Sequence, residues 1–253
     1  MGLIIAVANQ KGGVGKTTTT ANLGAGLALR GYRVLLIDMD PQANLTATFG
    51  LERNVEKTIG DALMDRSADP PILRVADLIG VEIDVMPSDL NMASIETSLA
   101  NKVGRDSRLR DQLSKVVSDY DFILIDTPPS LGLLTVNALV GADWVIIPTE
   151  ARFFSLQGLE MLDESINEVL YLNPKLKILG IVLSKFDRRL REEGSVNRFL
   201  REKWGRAVFE TPVPVNSKIL EASSAGVSVY AYKGAKKARG VYDALVEEVV
   251  ARA

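Results

Sequence analysis

The densest chemistry in this chain lies in one stretch, Asn9-Gln10-Lys11-Gly12-Gly13-Val14-Gly15-Lys16-Thr17-Thr18. Gly12, Gly13 and Gly15 let the backbone turn tightly and bring its N–H groups, those around Val14 and Thr18 included, close to an anion. A helix starting near Gly15 would aim its positive end at the same point. Lys16 adds a mobile cation suited to β- and γ-phosphate oxygens, and the Thr17 hydroxyl suits Mg²⁺. The strict phosphate-loop pattern would have its first glycine where Gln10 stands; instead a second lysine, Lys11, opens the loop. The plain alternative, a glycine-rich turn that binds nothing, does not explain why strand, loop and helix patterns follow in the order a phosphate site needs.

Three carboxylates accompany this loop. Asp38 and Asp40 close an apolar run and, in extended chain, would face the same way. Asp40-Pro41 also favours a turn, so for one isolated aspartate a capping role would suffice. Asp126 closes a second apolar run, Phe122–Ile125, and is placed to hold Mg²⁺ through its water shell.

Composition removes most rival chemistry. The 253 residues contain no Cys and no His. That excludes Ser-His-Asp and Cys-His nucleophiles, thiolate-held clusters, histidine-ligated zinc and any disulfide framework. Lys and Arg number 30 against 32 Asp and Glu, a formal net charge of −2. Nucleic-acid binding would therefore rest on local patches. Two basic runs stand out: Lys185, Arg188, Arg189 and Arg191, then Lys233, Lys236, Lys237 and Arg239. A charge run is ordinarily a solvated face; the functional reading is a sequence-independent surface tracking the phosphates of DNA. No apolar run approaches the roughly 18 residues that span a bilayer, and the expected location is cytoplasmic.

The elements that must position these groups alternate along the chain. Leu3–Ala8, Val34–Ile37, Phe122–Ile125, Trp144–Ile147 and Ile178–Leu183 read as strands covered on both faces. Helical patterns fall at Gly15–Arg30, Ser107–Ser118, Leu156–Tyr171, Ser195–Trp204 and Lys236–Ala251. Ser67–Pro71 reads as a loop, while Leu51–Lys102 is the least legible region, with Ile83–Met86 a strand and Leu90–Lys102 a helix. This rhythm predicts an α/β fold, a doubly wound and mostly parallel sheet with helices on both faces, in one domain over residues 1–253. Ligands of such sheets sit beyond the carboxyl ends of the strands, where the polar residues above concentrate. Phe153 and Phe154, at a strand-to-helix junction, fit packing better than base stacking.

Across nearly the whole chain, and most tightly at Asn9–Thr18, Asp38–Asn44 and Asp126–Ser130, the sequence resembles the ParA/Soj/MinD group of ATPases with a deviant phosphate loop. The resemblance implies ATP with Mg²⁺, held between the two subunits of an ATP-dependent homodimer. By it, Lys11 crosses to the partner's nucleotide, Asp40 positions the attacking water and Asp38 supports the metal's outer shell. Asp126–Ser130 becomes a switch that senses the γ-phosphate. Adenine contacts fall near Pro214 and Asn216, with Val215 departing from the arginine that relatives often carry there.

The partition members of the group bind DNA non-specifically, associate with the nucleoid and use a ParB-like activator to segregate a chromosome or plasmid. Some relatives position other cargo. A MinD-like membrane cycle would need a basic amphipathic C-terminal helix; here Val241, Leu245 and Val249 share their segment with Asp243, Glu247 and Glu248, and no membrane partner is expected. Metabolic ligases on this scaffold generally lack a lysine in the place of Lys11. Tyrosine kinases would show a terminal tyrosine cluster, whereas Tyr230, Tyr232 and Tyr242 are scattered.

Overall fold

In the computed structural model, residues 2–51, 55–76 and 82–253 are described, with backbone alone for 153–158. The strands are β1 (Leu3–Val7), β2 (Val34–Asp38), β3 (Leu73–Ala76), β4 (Glu82–Met86), β5 (Phe122–Asp126), β6 (Trp144–Glu150) and β7 (Lys177–Ser184). They form a seven-stranded sheet in the order β3-β4-β2-β5-β1-β6-β7. Every pairing is parallel except β3 on β4. The helices are α1 (Lys16–Ala28), α2 (Asn44–Thr48), α3 (Ile59–Met64), α4 (Met92–Leu99), α5 (Arg108–Leu113), α6 (Leu133–Gly141), α7 (Phe153–Val169), α8 (Arg191–Trp204), α9 (Ser217–Ser224) and α10 (Lys236–Arg252).

The near-continuous apolarity of the inner strands follows from two cores. Successive side chains of a strand point to opposite faces. Ile4, Ala6, Leu35, Ile37, Ile123 and Ile125 pack on the side of α3 to α8. Ile5, Val7, Leu36 and Leu124 pack with Leu23 and Leu27 of α1 and with Leu245 and Val249 of α10. Gly24 brings α1 close to β2, since a Cβ there would lie 2.6 Å from Leu36 Cδ2. The same packing occupies the apolar stripe of α10, where Tyr242, Leu245, Val246 and Val249 are buried.

The predicted sheet is present, and each of the six predicted strands falls on an observed one. Elements between them differ more. The expected helix Ser107–Ser118 ends at Leu113, with a single 3₁₀ turn at Val117–Asp119. The expected helix Leu90–Lys102 is the shorter α4. Between α8 and α9, Val208 makes an isolated parallel bridge to Ile181 of β7. Five elements have no counterpart in the sequence pattern: the short helices α2, α3 and α9, helix α6 and strand β3. Helix α6 (LLTVNALVG) is apolar around most of its circumference, which hides a helical period. Strand β3 is four residues with alternate side chains half exposed, and it is held at the sheet edge by Arg74. That guanidinium forks onto Asp84, Nε to Oδ1 at 2.9 Å and Nη2 to Oδ2 at 3.2 Å. The side chains of Phe153 and Phe154 lie outside the described residues. Among the described residues, no helix is long and apolar enough to cross a membrane.

Candidate nucleotide site

Parallel strands deliver their carboxyl ends to one edge of the sheet, and the chemistry of this chain gathers there. The glycine loop follows β1, Asp38 ends β2, Asp126 ends β5, Glu150 ends β6 and Lys185 follows β7 directly. Asp38 and Asp126 are register partners across the β2–β5 pair.

The loop is pinned at its start and open at its crest. Asn9 Nδ2 donates to the Pro148 carbonyl of β6 at 2.7 Å, and Asn9 Oδ1 accepts from the Lys11 amide at 2.9 Å. Gly13 and Gly15 take φ of +73° and +87°, left-handed values that strain any residue with a Cβ. Lys16 opens α1, is 6% exposed, and directs Nζ across the loop to the Lys11 carbonyl at 3.4 Å. Burial lowers its pKa, while Asp126 and Asp40 pull the other way.

Thr17 Oγ1 donates to Asp126 Oδ2 at 2.6 Å, and Thr20 Oγ1 reaches Asp126 Oδ1 at 3.5 Å. Burial, then the neighbouring Asp38, raises the Asp126 pKa well above the usual carboxylate range. Asp38 is engaged differently. Its Oδ2 accepts from the Thr46 amide at 2.8 Å and from Thr46 Oγ1 at 2.7 Å, while Oδ1 accepts from the Asp40 amide at 3.0 Å. The Asp38 carboxyl is pushed up to about 6 by burial, against those hydrogen bonds. Asp38 thus acts on the loop that carries Asp40. Thr46 in turn accepts from the Ser88 amide at 2.9 Å, tying that loop to the end of β4. Sequence reasoning missed Thr46; the faint signal was a threonine one helical turn past the Asp-Pro turn. Asp40 Oδ1 accepts from the Gln42 amide at 2.9 Å, and the residue faces a cavity.

That cavity measures about 850 Å³ and is lined by Gly12, Gly13, Lys16, Thr17, Asp40 and Lys185, among others. Its size suits a nucleotide-sized ligand. A slot of about 220 Å³ adjoins it, walled by Val14, Val213, Pro214, Asn216, Ile219 and Tyr242. The two cavities share Gly15, Thr18, Lys185 and Leu220. Pro214 and Asn216 therefore come to the phosphate loop from far along the chain. Asn216 also caps α9, its Oδ1 accepting from the Lys218 amide at 2.8 Å.

One carboxylate gathers two lysines at the rim. Glu150 Oε2 accepts from Lys11 Nζ at 2.8 Å, and Glu150 Oε1 lies 3.3 Å from Lys185 Nζ. Glu150 was another residue that sequence reasoning missed, because its partners lie far away in the chain. Lys185 accordingly stands over the phosphate loop, apart from the basic run to which its neighbours assigned it. Arg189 forks onto Asp187, its Nη2 2.6 Å from Oδ2, and Arg239 binds the Val229 and Tyr232 carbonyls at 3.1 Å each. Arg188, Arg191, Lys233, Lys236 and Lys237 are exposed. Arg188 and Arg189 share a surface depression with Val241 of α10.

Among the described residues, no group of three or more acidic side chains could hold a metal by itself. The Thr17 hydroxyl and Asp126 carboxylate are hard oxygen donors already in contact. They fit an ion that completes its shell with phosphate oxygens and water, the habit of Mg²⁺.

A glycine cradle on an inner parallel strand, a buried lysine beneath it and a hydroxyl–carboxylate pair beside it are the working parts of a P-loop ATPase, and the lysine that opens the loop marks the deviant class. The chain belongs to the ParA/Soj family of these ATPases. An AAA domain family model matches residues 2–178. The chain is 41% identical to the sporulation initiation inhibitor protein Soj of Bacillus subtilis, over 99% of each chain. It is 41% identical to the chromosome partitioning protein ParA of Caulobacter vibrioides, over 98% of this chain and 94% of that one. Among solved structures, it matches a cobyrinic acid a,c-diamide synthase of Mycobacterium smegmatis with bound ATP analogue and magnesium. That match has a TM-score of 0.81 at 32% identity, covering 98% of this chain and 95% of the other.

Proposed function

We propose that residues 1–253 act as one partition ATPase domain that binds ATP with Mg²⁺, dimerises around it, and in that state holds DNA without sequence preference. The observation that carries this reading is the Thr17–Asp126 contact at 2.6 Å beneath a glycine loop opened by Lys11. Thr17 and Asp126 would hold Mg²⁺, which when bound supplies positive charge to the phosphate oxygens. The amides of Gly12 to Thr18 and the Lys16 ammonium bind and orient the phosphate chain. Asp40, fixed by Asp38, orients the attacking water. The slot beside Val14, Pro214 and Asn216 takes the adenine.

Lys11 leaves Glu150 to reach the phosphates of the partner subunit, a cation delivered in trans like an arginine finger. Arg188, Arg191, Lys233, Lys236 and Lys237 offer the exposed charge for DNA phosphates, and dimerisation doubles that surface. Hydrolysis, weak alone and stimulated by a ParB-like partner, returns the monomer. The setting is the cytoplasm at the nucleoid, and the cargo is a chromosome or plasmid. Buried Leu245 and Val249 favour this reading over a membrane cycle, since the apolar stripe of α10 is already covered.

Size exclusion with light scattering tests the reading on the Asp40→Ala protein. A dimer in ATP, a monomer without it, and co-elution with duplex DNA only in ATP are expected. A monomer in ATP contradicts it.

A further inference from the structure

We infer that Lys185 is a phosphate-binding cation of this site, acting on the nucleotide of its own subunit. This rests on the nucleotide reading above and adds a residue to it. Three independent observations converge on the side chain.

The first is backbone conformation. Lys185 takes φ of +52°, in the left-handed region that costs about 1 kcal/mol or more for a residue with a Cβ. Neighbouring contacts impose this turn. Ser184 before it ends β7, and Phe186 after it is buried, with its amide bonded to the Val213 carbonyl at 3.0 Å. The second is position. Lys185 Nζ lies 3.9 Å from the point a Cβ on Gly13 would occupy, so the ammonium lies over the crest of the phosphate loop. Lys185 also lines both the large cavity and the adjoining slot, at their junction.

The third is its counter-ion. Glu150 faces both Lys11 and Lys185 and is only 15% exposed. Burial acts against its charge, but the hydrogen bonds and charges of the two lysines hold its carboxyl below the usual range. Glu150 so holds the Lys185 ammonium at the cavity mouth, beside the glycine cradle. A triphosphate is the anion that an ammonium placed there recognises. The basic residues that follow Lys185 serve elsewhere, since Arg188 and Arg189 border a depression that Lys185 does not line.

Calorimetric titration of the full chain with Mg·ADP and with Mg·AMPPNP tests this on wild type, K185M, K185R and K16A, together with thermal unfolding of each nucleotide-free protein. Methionine keeps the aliphatic stem and the left-handed backbone but removes the charge. K185M is expected to bind both nucleotides about tenfold more weakly, with unfolding unchanged. K185R, which restores the charge, is expected within about threefold of wild type. Wild-type affinity in K185M alongside loss in K16A overturns the assignment of Lys185 and leaves the nucleotide reading standing. Equal weakening in K185M and K185R also overturns it. A wild-type protein that takes up neither nucleotide overturns both.

Discussion

Asp38 and Asp126 end neighbouring strands in the same register, yet they are engaged by different threonines. Thr17 of the phosphate loop donates to Asp126, and Thr46 of the Asp40 loop donates twice to Asp38. The pair divides the labour of the site. One carboxylate faces the Thr17 hydroxyl of the phosphate loop, and the other orders the segment that carries Asp40.

Two carboxyls buried side by side make the nucleotide-free protein sensitive to pH. Asp38 is pushed up to about 6, and Asp126 is raised well above the usual range. A carboxyl whose folded-state pKa exceeds its unfolded value contributes stability that is complete below about pH 4 and is lost as pH rises through the folded-state value. D126N removes one buried charge and lets Thr17 keep an oxygen acceptor. Its stability relative to wild type should therefore rise between about pH 4 and about pH 8. Urea unfolding at the two pH values measures this, and a constant difference would refute it.

Thr46→Val keeps the shape of the side chain but removes a donor to the buried Asp38 and the acceptor of the Ser88 amide. Asp38 keeps the Thr46 amide, but the Ser88 amide is left unpartnered, which costs about 1–3 kcal/mol. Because the Asp40 amide rests on Asp38, ATP turnover should fall further than nucleotide affinity does. Denaturation, calorimetry and phosphate release on one preparation separate these effects.

Lys11→Ala leaves Lys16, Thr17 and the loop amides in place. ATP affinity should stay within a few-fold of wild type, while light scattering should find a monomer in ATP. Partner-stimulated turnover should drop by roughly three orders of magnitude, the scale of a lost trans cation. A K11A dimer in ATP would remove Lys11 from the interface.

Gly180 in β7 is a test of packing alone. A Cβ there would run into the ring of Phe209 and lie 2.9 Å from Arg252 Nη1. Overpacking of this kind costs about 1–3 kcal/mol, so G180A should lower the urea midpoint without changing nucleotide affinity per folded molecule.

The phosphate loop was legible in the sequence because its chemistry is contiguous: the glycines, Lys16 and Thr17 that line one cavity sit within a few residues. The inner strands were legible because burial on both faces leaves unbroken apolar runs, and a strand-end aspartate such as Asp126 is marked by the run before it. Where contacts cross between elements, local pattern carried no signal. Lys11 and Glu150 are 139 residues apart and Thr46 and Ser88 are 42 apart, and they meet because the strand order brings their carriers to one edge of the sheet. Lys185 shows the difference most clearly. By its neighbours it belongs to a basic run, but the left-handed turn after β7 sets its ammonium over Gly13. Strand order and the path of the chain out of each strand depend on how the two cores pack, and that was decided only in the folded molecule.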